Sequence, residues 1–198
     1  MELDQIKRFK ADRAEFSPVA GRFHHVSISG TGHLYLIGGA ARGLLQSTLR
    51  GTQTTKPNDY DWTVIGCCSK REAIHLDRSP RGINRIELEH GAPHPSLQDY
   101  FESRDFAINE VAVDSKGFIF ATKIAVRSYR SNTLLVRPGK QLTLREAVRA
   151  CRFCLEYKLK MPTAVKAQVK ALAADMRGEP VFDRYTRSWN ITEFINTL

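Results

Sequence analysis

The chain has 198 residues, of which 42% are hydrophobic and 26% are charged, a composition that is typical of a globular protein and excludes a wholly disordered one. Residues 1–122 hold 15 basic and 15 acidic side chains, whereas residues 123–198 hold 15 basic and 6 acidic ones, so the net charge of +9 lies entirely in the second part. No apolar run approaches the roughly 18 residues of a membrane span, and the polar N-terminus lacks a signal-peptide core, so we expect a cytoplasmic protein with no membrane partner.

Strands predominate in the predicted structure of the first 122 residues. Residues 2–15 have apolar side chains near helical spacing, which predicts an amphipathic helix. Glycines at positions 30 and 32 separate two alternating stretches and predict a hairpin of residues 23–28 and 34–37. The other elements predicted here are a helix over 40–49, a strand over 59–65, a short helix over 69–74, a strand over 83–88, a helix over 96–102, and a hairpin of strands 106–113 and 118–121.

Helices predominate from about residue 141. The elements predicted there are a helix over 142–157, a second helix from Pro162 to about Met176 that ends at Gly178 and Pro180, and a short last turn capped by Thr192. Cys151 and Cys154 share a face of the first of these helices, so we expect buried, reduced thiols, with a metal or redox site as the alternative. The chain is therefore predicted to be an α/β (α+β) protein with two domains, residues 1–122 with the strands and residues 123–198 with the basic helices.

Two aspartates, Asp59 and Asp61, begin the predicted strand over 59–65. Residues i and i+2 of a strand point to the same face with Cα atoms roughly 6.5 Å apart, so the two carboxylates can converge on divalent cations. Mg²⁺ prefers carboxylate, phosphate and water oxygens, and a pair of such ions can activate an attacking hydroxyl and stabilise a leaving pyrophosphate. Because Asp-x-Asp is also common turn chemistry at the start of a strand, the pair alone leaves both interpretations open.

A second motif, Gly38-Gly39, lies between a predicted strand and a predicted helix. Glycines at such a turn let backbone N–H groups approach an anion, and the dipole of the helix N-terminus favours negative charge. Arg42, one turn into the helix, can reach the same anion, although the glycines can equally serve turn geometry alone. The third motif contains Arg104-Asp105 before an apolar stretch, and such a charged pair is by itself more typical of a surface than of a site.

Taken in order, these motifs resemble the head domain of poly(A) polymerases and class II CCA-adding nucleotidyltransferases, in the polymerase-beta-like superfamily. The matching segments are Leu36-Ile37-Gly38-Gly39-Ala40-Ala41-Arg42, Asn58-Asp59-Tyr60-Asp61-Trp62 and residues 103–114. Residues 149–157 resemble the family's neck helix, so the resemblance covers roughly residues 33–160. It implies a polymerase-beta-like nucleotidyltransferase sheet with flanking helices, followed by a small helical neck-like region.

The resemblance implies that the first two motifs bind phosphate and metal. Gly38, Gly39 and Arg42 would hold the triphosphate of a nucleotide. Asp59 and Asp61 would bind the catalytic metal ions, Mg²⁺ or Mn²⁺.

The later motifs would complete the nucleotide site. Arg104, Asp105 and Asn109 would shape its sugar and phosphate side, and Arg149 and Arg152 of the neck-like helix would point at the nucleotide. These roles come from the resemblance, position by position.

A third catalytic carboxylate is expected on a neighbouring strand, where Glu87 is favoured over Glu89, although both can be solvent-facing acids of an edge strand. The chain also departs from the family, which usually has Asp where this sequence has Gly43. The family's base-reading motif, Glu-Asp-x-x-Arg, has Thr143 and Glu146 at its Asp and Arg positions here. Since glutamate accepts hydrogen bonds where arginine donates them, the family's choice of C and then A does not carry over.

The resemblance implies a metal-dependent, template-independent nucleotidyltransferase that adds nucleotides from ATP or another NTP to an RNA 3′ end, with tRNA as the favoured acceptor. Basic side chains after the neck-like helix are candidates for contacts with RNA phosphates. They are Lys158, Lys160, Lys166, Lys170, Arg177, Arg184 and Arg187. Two alternatives stay open: transfer to a protein or small-molecule acceptor, and a non-catalytic nucleotide- or RNA-binding module of the same fold.

Overall fold

The computed structural model describes residues 5–23, 26–28, 32–51, 60–66, 74–76 and 94–198. Its strands are β1 Ile6–Lys10, β2 Val26–Ile28, β3 His33–Ile37, β4 Asp61–Ile65, β5 Ile74–Leu76, β6 Val111–Val113 and β7 Phe118–Thr122. Five of them form an antiparallel sheet in the order β1-β7-β6-β3-β4, and β2 pairs with β5 in a separate antiparallel ribbon.

Helices flank the sheet and make up most of the chain after residue 122. They are α1 Arg13–Phe23, α2 Gly38–Arg50, α3 Leu97–Glu102, α4 Lys123–Ser131, α5 Leu144–Tyr157, α6 Thr163–Leu172, α7 Pro180–Thr186 and α8 Ile191–Thr197, with 3₁₀ turns at Ala107–Asn109 and Met176–Gly178. The predicted class, an α/β sheet with flanking helices followed by a helical region, is confirmed. None of the helices in the described part of the chain is long and apolar enough to cross a membrane.

Backbone contacts divide the chain into two units. The first comprises Met1–Arg104 and Ile108–Val126, and the second comprises Asp105–Ala107 and Arg127–Leu198. The boundary after Val126 falls inside α4, and three residues of the third sequence motif belong to the second unit. The division into domains 1–122 and 123–198 stays a prediction.

The first unit buries aromatic side chains on both faces of its sheet. On one face Phe23 of α1 packs edge to face on Trp62, with ring centroids 4.6 Å apart. On the other, Tyr100 and Phe101 of α3 form a cluster with Ile37 and other apolar side chains of the sheet. Full burial of one large apolar side chain contributes about 1.5–3 kcal/mol to the stability of the fold. The side chains of α1 on one face and of α3 on the other therefore stabilise the sheet.

The second unit is built around α5, which contacts α6, α7 and α8. Its apolar stripe is fully or almost fully buried and includes Ala147, Cys151 and Cys154. Phe153 packs edge to face on Phe106, with ring centroids 5.6 Å apart. The two thiols are buried and unpaired by any disulfide, as predicted, and burial raises the pKa of each to about 12.

The predicted helix over residues 2–15 is wrong. Ile6–Lys10 is strand β1, which pairs with β7 so that Ile6 lies opposite Thr122, and α1 begins only at Arg13. A stretch this short can match helical and strand spacing alike, and the hydrogen bonds offered by β7, more than a hundred residues away, decide the outcome.

The predicted hairpin of residues 23–28 and 34–37 is also wrong. Phe23 ends α1, β2 pairs with β5, and β3 pairs with β4. Glycines mark where a chain can reverse, but the choice of partner strand depends on side-chain pairing between residues that are distant in sequence. By contrast, the hairpin of β6 and β7 is present, although its first strand is shorter than predicted because Ala107–Asn109 forms a 3₁₀ turn.

The remaining differences concern helix ends and one helix that was not predicted, α4. Helix α6 ends at Leu172, and Pro180 begins α7 instead of ending a helix, because the first helical position needs no N–H donor. Asn190, not Thr192, caps α8 by accepting a hydrogen bond from the backbone N–H of Glu193 at 3.1 Å. The predicted strand over 83–88 lies outside the described residues, as does most of the predicted helix over 69–74, whose last residue begins β5.

Candidate active site

The turn from β3 into α2 places Gly38 against Asp61. Ile37 and Asp61 are cross-strand partners, so the chain leaves β3 beside the aspartate. Gly38 has a φ of +67°, and a Cβ atom there would overlap Oδ2 of Asp61 and lie 3.0 Å from its Cγ. Glycine alone meets both requirements, and it lets a carboxylate lie directly against the backbone where α2 begins.

The N-terminus of α2 is suited to an anion. Its N-cap residue is Ile37, whose side chain cannot accept a hydrogen bond, and its first turn contains no acidic residue. The leading N–H groups of a helix carry partial positive charge, which the macrodipole reinforces. The guanidinium of Arg42 adds a full charge near this turn, because its Nη2 would lie 3.8 Å from a Cβ atom built on Gly39.

Arg42 connects the first sequence motif to the third. Its side chain is buried, with 8% of the residue exposed, and Nη1 donates a hydrogen bond to Oδ1 of Asn109 at 2.7 Å. Asn109 ends the 3₁₀ turn that precedes β6, so the amide is placed by the sheet itself. An amide that accepts from a guanidinium fixes its orientation without neutralising its charge.

Asp105 and Arg149, which the sequence assigns to separate motifs, form an ion pair through Oδ2 and Nη1 within the second unit. The other carboxylate oxygen of Asp105 accepts the backbone N–H of Phe106 at 3.0 Å. The guanidinium of Arg149 lies 5.5 Å from the ring centroid of Phe153. The pair therefore ties the short segment 105–107 to α5.

Arg152, predicted to point at the nucleotide, is held by side chains of the helical unit. Its Nε donates to Oε2 of Glu156 at 2.8 Å, and its guanidinium carbon lies 4.6 Å from the ring centroid of Tyr185. Burial acts to lower the pKa of Arg152, but the attraction of Glu156 and Tyr185 outweighs it and leaves the pKa above its ordinary value.

Arg104 folds back on its own segment of the first unit. Its Nη2 donates to Oγ of Ser103 at 2.7 Å, its Nε donates to the carbonyl of Tyr100 at 3.3 Å, and its guanidinium carbon lies 4.4 Å from the ring centroid of Tyr100. These three contacts join Arg104 to α3 and to its C-cap residue, Ser103.

Only one of the predicted catalytic carboxylates belongs to the described part of the chain. Asp61 is half-buried at the start of β4, whereas Asp59 and Glu87 lie outside the described residues. Among the residues that the structure describes, no group of three or more His, Cys, Asp and Glu side chains is placed to hold a metal ion. The metal-binding role of Asp59 and Asp61 therefore stays a prediction.

Thr143 and Glu146, at the positions of the family's base-reading pair, cap helix α5. The backbone N–H of Glu146 donates to Oγ1 of Thr143 at 3.2 Å, and Oε2 of Glu146 accepts the backbone N–H of Thr143 at 2.9 Å. Lys140 forms an ion pair with Glu146 at 2.8 Å. Burial acts to raise the pKa of Glu146, but the bonds from Lys140 and Thr143 more than offset it, so the pKa is lowered. The Thr-x-x-Glu pattern of a capping box is the sequence signal that identifies this role.

The basic residues predicted to contact RNA lie in the helical unit and are mostly exposed. Lys166 is half-buried, and Arg177 contributes to a cleft of about 310 Å³ together with Phe182 and Asn196. The exposed members of the set are Lys158, Lys160, Lys170, Arg177, Arg184 and Arg187.

Solved CCA-adding enzymes are similar to this chain in structure. The Thermotoga maritima CCA-adding enzyme complexed with tRNA has a TM-score of 0.52 and 16% identity, over 86% of this chain and 46% of that one. A CCA-adding enzyme in complex with CTP has a TM-score of 0.54 and 15% identity, over 95% and 50%. The Bacillus stearothermophilus CCA-adding enzyme in complex with CTP has a TM-score of 0.51 and 18% identity, over 88% and 51%. No protein-family model and no curated protein sequence matches the chain.

These similarities establish the fold, that of CCA-adding and poly(A) polymerase-like nucleotidyltransferases, and the sequence-based resemblance is confirmed at that level. The chain spans about half the length of the structures it matches. At 15–18% identity the likeness is one of fold.

Proposed function

We propose that the chain is a metal-dependent, template-independent nucleotidyltransferase that adds nucleotides from an NTP to the 3′ end of RNA, with tRNA as the favoured acceptor. The observation that carries the proposal is the contact of Asp61 with Gly38 at the N-terminus of α2. It joins a carboxylate to a helix N-terminus that is suited to an anion, on a fold shared with CCA-adding enzymes.

In this proposal the chain's own residues first bind the triphosphate. The N-terminus of α2 and the guanidinium of Arg42 provide positive charge, and Asn109 fixes the guanidinium by accepting from it at 2.7 Å. Because these groups are held before the nucleotide arrives, little reorganisation is needed when charge develops on the phosphates. Arg149, which the resemblance also assigns to the nucleotide, is ion-paired with Asp105 within the second unit.

The donor set fits a hard divalent cation. Asp61 offers carboxylate oxygens at the start of a strand, and Asp59 stands two residues earlier, so the two aspartates would hold Mg²⁺ or Mn²⁺. The ion, when bound, supplies charge neutralisation on the phosphates and a lower pKa for the attacking hydroxyl.

The reaction is a displacement at the α-phosphorus. The 3′-hydroxyl oxygen of the acceptor forms the new P–O bond and its proton passes to solvent water. The bond to the oxygen that bridges the α- and β-phosphates breaks, which releases pyrophosphate. The protein contributes positioning and electrostatic stabilisation, which are the main catalytic terms in phosphoryl chemistry.

The test is the incorporation of each labelled NTP into total RNA in the presence of Mg²⁺. We expect Asp61→Asn, alone and with Asp59→Asn, to abolish incorporation while preserving the fold. Asp175→Asn is the matched control, because Asp175 is exposed and its side chain caps nothing in the helical unit. Incorporation that survives the double substitution would refute the proposal.

A second candidate is a nucleotide-binding protein with a different acceptor or with no turnover. The capping box of Thr143 and Glu146 favours it, because both side chains are committed to α5 where the family reads the base. Label that moves with protein instead of RNA would support another acceptor, and thermal stabilisation by one NTP without incorporation would support a binding module. Incorporation into RNA would exclude the second candidate.

A further inference from the structure

The sheet face that carries Asp61 has a basic and aromatic surface at its opposite edge. The cross-strand register places five residues in one row, from β4 across β3, β6 and β7 to β1. The row is Asp61, Ile37, Ala112, Phe120 and Arg8. Four strand spacings of about 4.8 Å put its two ends roughly 19 Å apart within the first unit.

The surface at the β1 edge, named here the β1 surface, consists of Arg8, Lys10, Phe118 and Phe120. The guanidinium carbon of Arg8 lies 3.5 Å from the ring centroid of Phe118 and 6.0 Å from that of Phe120. Nζ of Lys10 lies 4.2 Å from the centroid of Phe118 and donates to the carbonyl of Lys116. Both basic residues are exposed, and both rings are half-buried.

Charged residues on an edge strand often serve only to prevent pairing with another sheet. Prevention of pairing does not require the ordered position of Arg8, whose guanidinium lies at stacking distance on the ring of Phe118. A guanidinium held in this way keeps its outer face open to a flat partner and its N–H groups open to an anion, with part of its rotamer entropy already lost. Asp114, the acid of the adjacent turn, is occupied by the backbone N–H groups of Lys116 and Phe118 at 2.9 and 2.8 Å.

We propose that the β1 surface binds single-stranded RNA, with a base stacked on Arg8 and phosphates held by Arg8 and Lys10. Aromatic side chains next to cations are the combination that single-stranded nucleic acids use, and bases also stack on guanidinium planes. This inference rests on the proposed function, which makes RNA a substrate, and it assigns part of the acceptor strand to the first unit in addition to the basic helices.

The experiment measures the binding of the full chain to a labelled, unstructured 12-nucleotide RNA by fluorescence anisotropy at several salt concentrations, without NTP or metal. Loss of two phosphate contacts in Arg8→Gln/Lys10→Gln lowers the slope of log K against log salt by about 1.4 on a single strand. The matched control, Arg127→Gln/Arg130→Gln, removes the same charge from exposed positions of α4 and leaves the slope unchanged.

The stacking component has its own variant, Arg8→Lys, which keeps the charge. Wild type is expected to bind RNA about 5-fold or more tightly than an abasic strand of equal length, and Arg8→Lys to lose that preference while keeping the salt slope. Circular dichroism and thermal unfolding verify that each variant is folded. The proposal would be overturned if the double variant had the same salt slope as the wild type, or if the control variant lowered the slope by the same amount. It would also be overturned if polyglutamate displaced the labelled RNA as well as unlabelled RNA does.

Two outcomes separate this inference from the proposed function. RNA binding that depends on Arg8 and Lys10, without NTP incorporation, supports the β1 surface and refutes the transferase. Incorporation that requires Asp61 but is unaffected by Arg8→Gln/Lys10→Gln, with an unchanged salt slope, supports the transferase and overturns the β1 surface.

Discussion

Gly38→Ala is expected to be among the most damaging single-methyl additions in the first unit. Gly38 has a φ of +67°, which costs an L-residue roughly 1–2 kcal/mol, and the added Cβ would overlap Oδ2 of Asp61. Overpacking of this kind costs a further 1–3 kcal/mol or so. We therefore expect a total loss of about 2–5 kcal/mol in the free energy of unfolding, together with displacement of the carboxylate.

Two other glycines of α2 and its C-cap separate the strain from the clash. Gly51 has a φ of +64° and nothing within 4 Å of a built Cβ, so Gly51→Ala reports the backbone strain alone. Gly39 has no positive φ, and its Cβ would meet Nη2 of Arg42 at an ordinary 3.8 Å, so Gly39→Ala is expected to be nearly neutral.

Urea unfolding of the three variants, followed by circular dichroism, measures these costs. Gly38→Ala combined with Asp61→Ala should recover the part of the loss that comes from the overlap with Oδ2, which a double-mutant cycle isolates. If Gly38→Ala costs no more than Gly51→Ala, or if removal of the Asp61 carboxylate recovers nothing, the close approach of Gly38 and Asp61 is refuted.

Three further results are expected. Asn109→Ala removes one acceptor from buried Arg42, so it should cost about 1–3 kcal/mol of stability and weaken NTP-dependent thermal stabilisation. An unchanged stabilisation by NTP would contradict a contact between Arg42 and the nucleotide. Glu146→Gln should lower the free energy of unfolding at pH 7 by weakening the cap and the ion pair. Because the pKa of Glu146 is lowered in the folded state, the difference in unfolding free energy between wild type and variant should shrink as the pH falls through that pKa. A difference that stays constant down to pH 2 would contradict this. Cys151 and Cys154, each with a pKa of about 12, should resist iodoacetamide at pH 8 until urea unfolds the chain, and peptide mapping that finds them alkylated in the folded protein would refute their burial.

The sequence alone supported the fold class and the places where chemistry was expected, but not the pairing of strands. Helix α2 and the β6–β7 hairpin could be predicted because their signals are local: glycine turns and apolar spacing. Strand β1 could not be predicted, because it pairs with a distant strand: the partner of Lys10 is Phe118, the first residue of β7, 108 positions later. The five residues of β1 contain no local signal for so distant a partner. The unpredicted helix α4 begins directly after β7, where the strand pattern masks the change of period.

The candidate site shows the same division between local and long-range information. Gly38, Asp61, Arg42 and Asn109 could be named from spacing and family resemblance, but their two contacts, one across the β3–β4 ladder and one between α2 and the turn before β6, depend on the sheet. The capping box of Thr143 and Glu146 was readable from Thr-x-x-Glu. The family's base-reading register assigns the same two residues to the nucleotide, whereas the local pattern predicts the helix cap that the structure contains.

The structure changes how the distribution of net charge along the sequence is interpreted. The 15 basic side chains after residue 122 are not all available to an external anion, because Lys140 and Arg152 are ion-paired inside the helical unit and Arg149 is paired with Asp105. The neutral first part, conversely, concentrates Arg8 and Lys10 on one exposed strand. Since interactions between exposed charges more than about 8 Å apart are largely screened in physiological salt, the net charge of a whole segment says little about where an RNA strand would bind. The useful quantity is the local arrangement, and by that measure the first unit also presents a surface for a polyanion, at the opposite edge of the sheet face that carries Asp61.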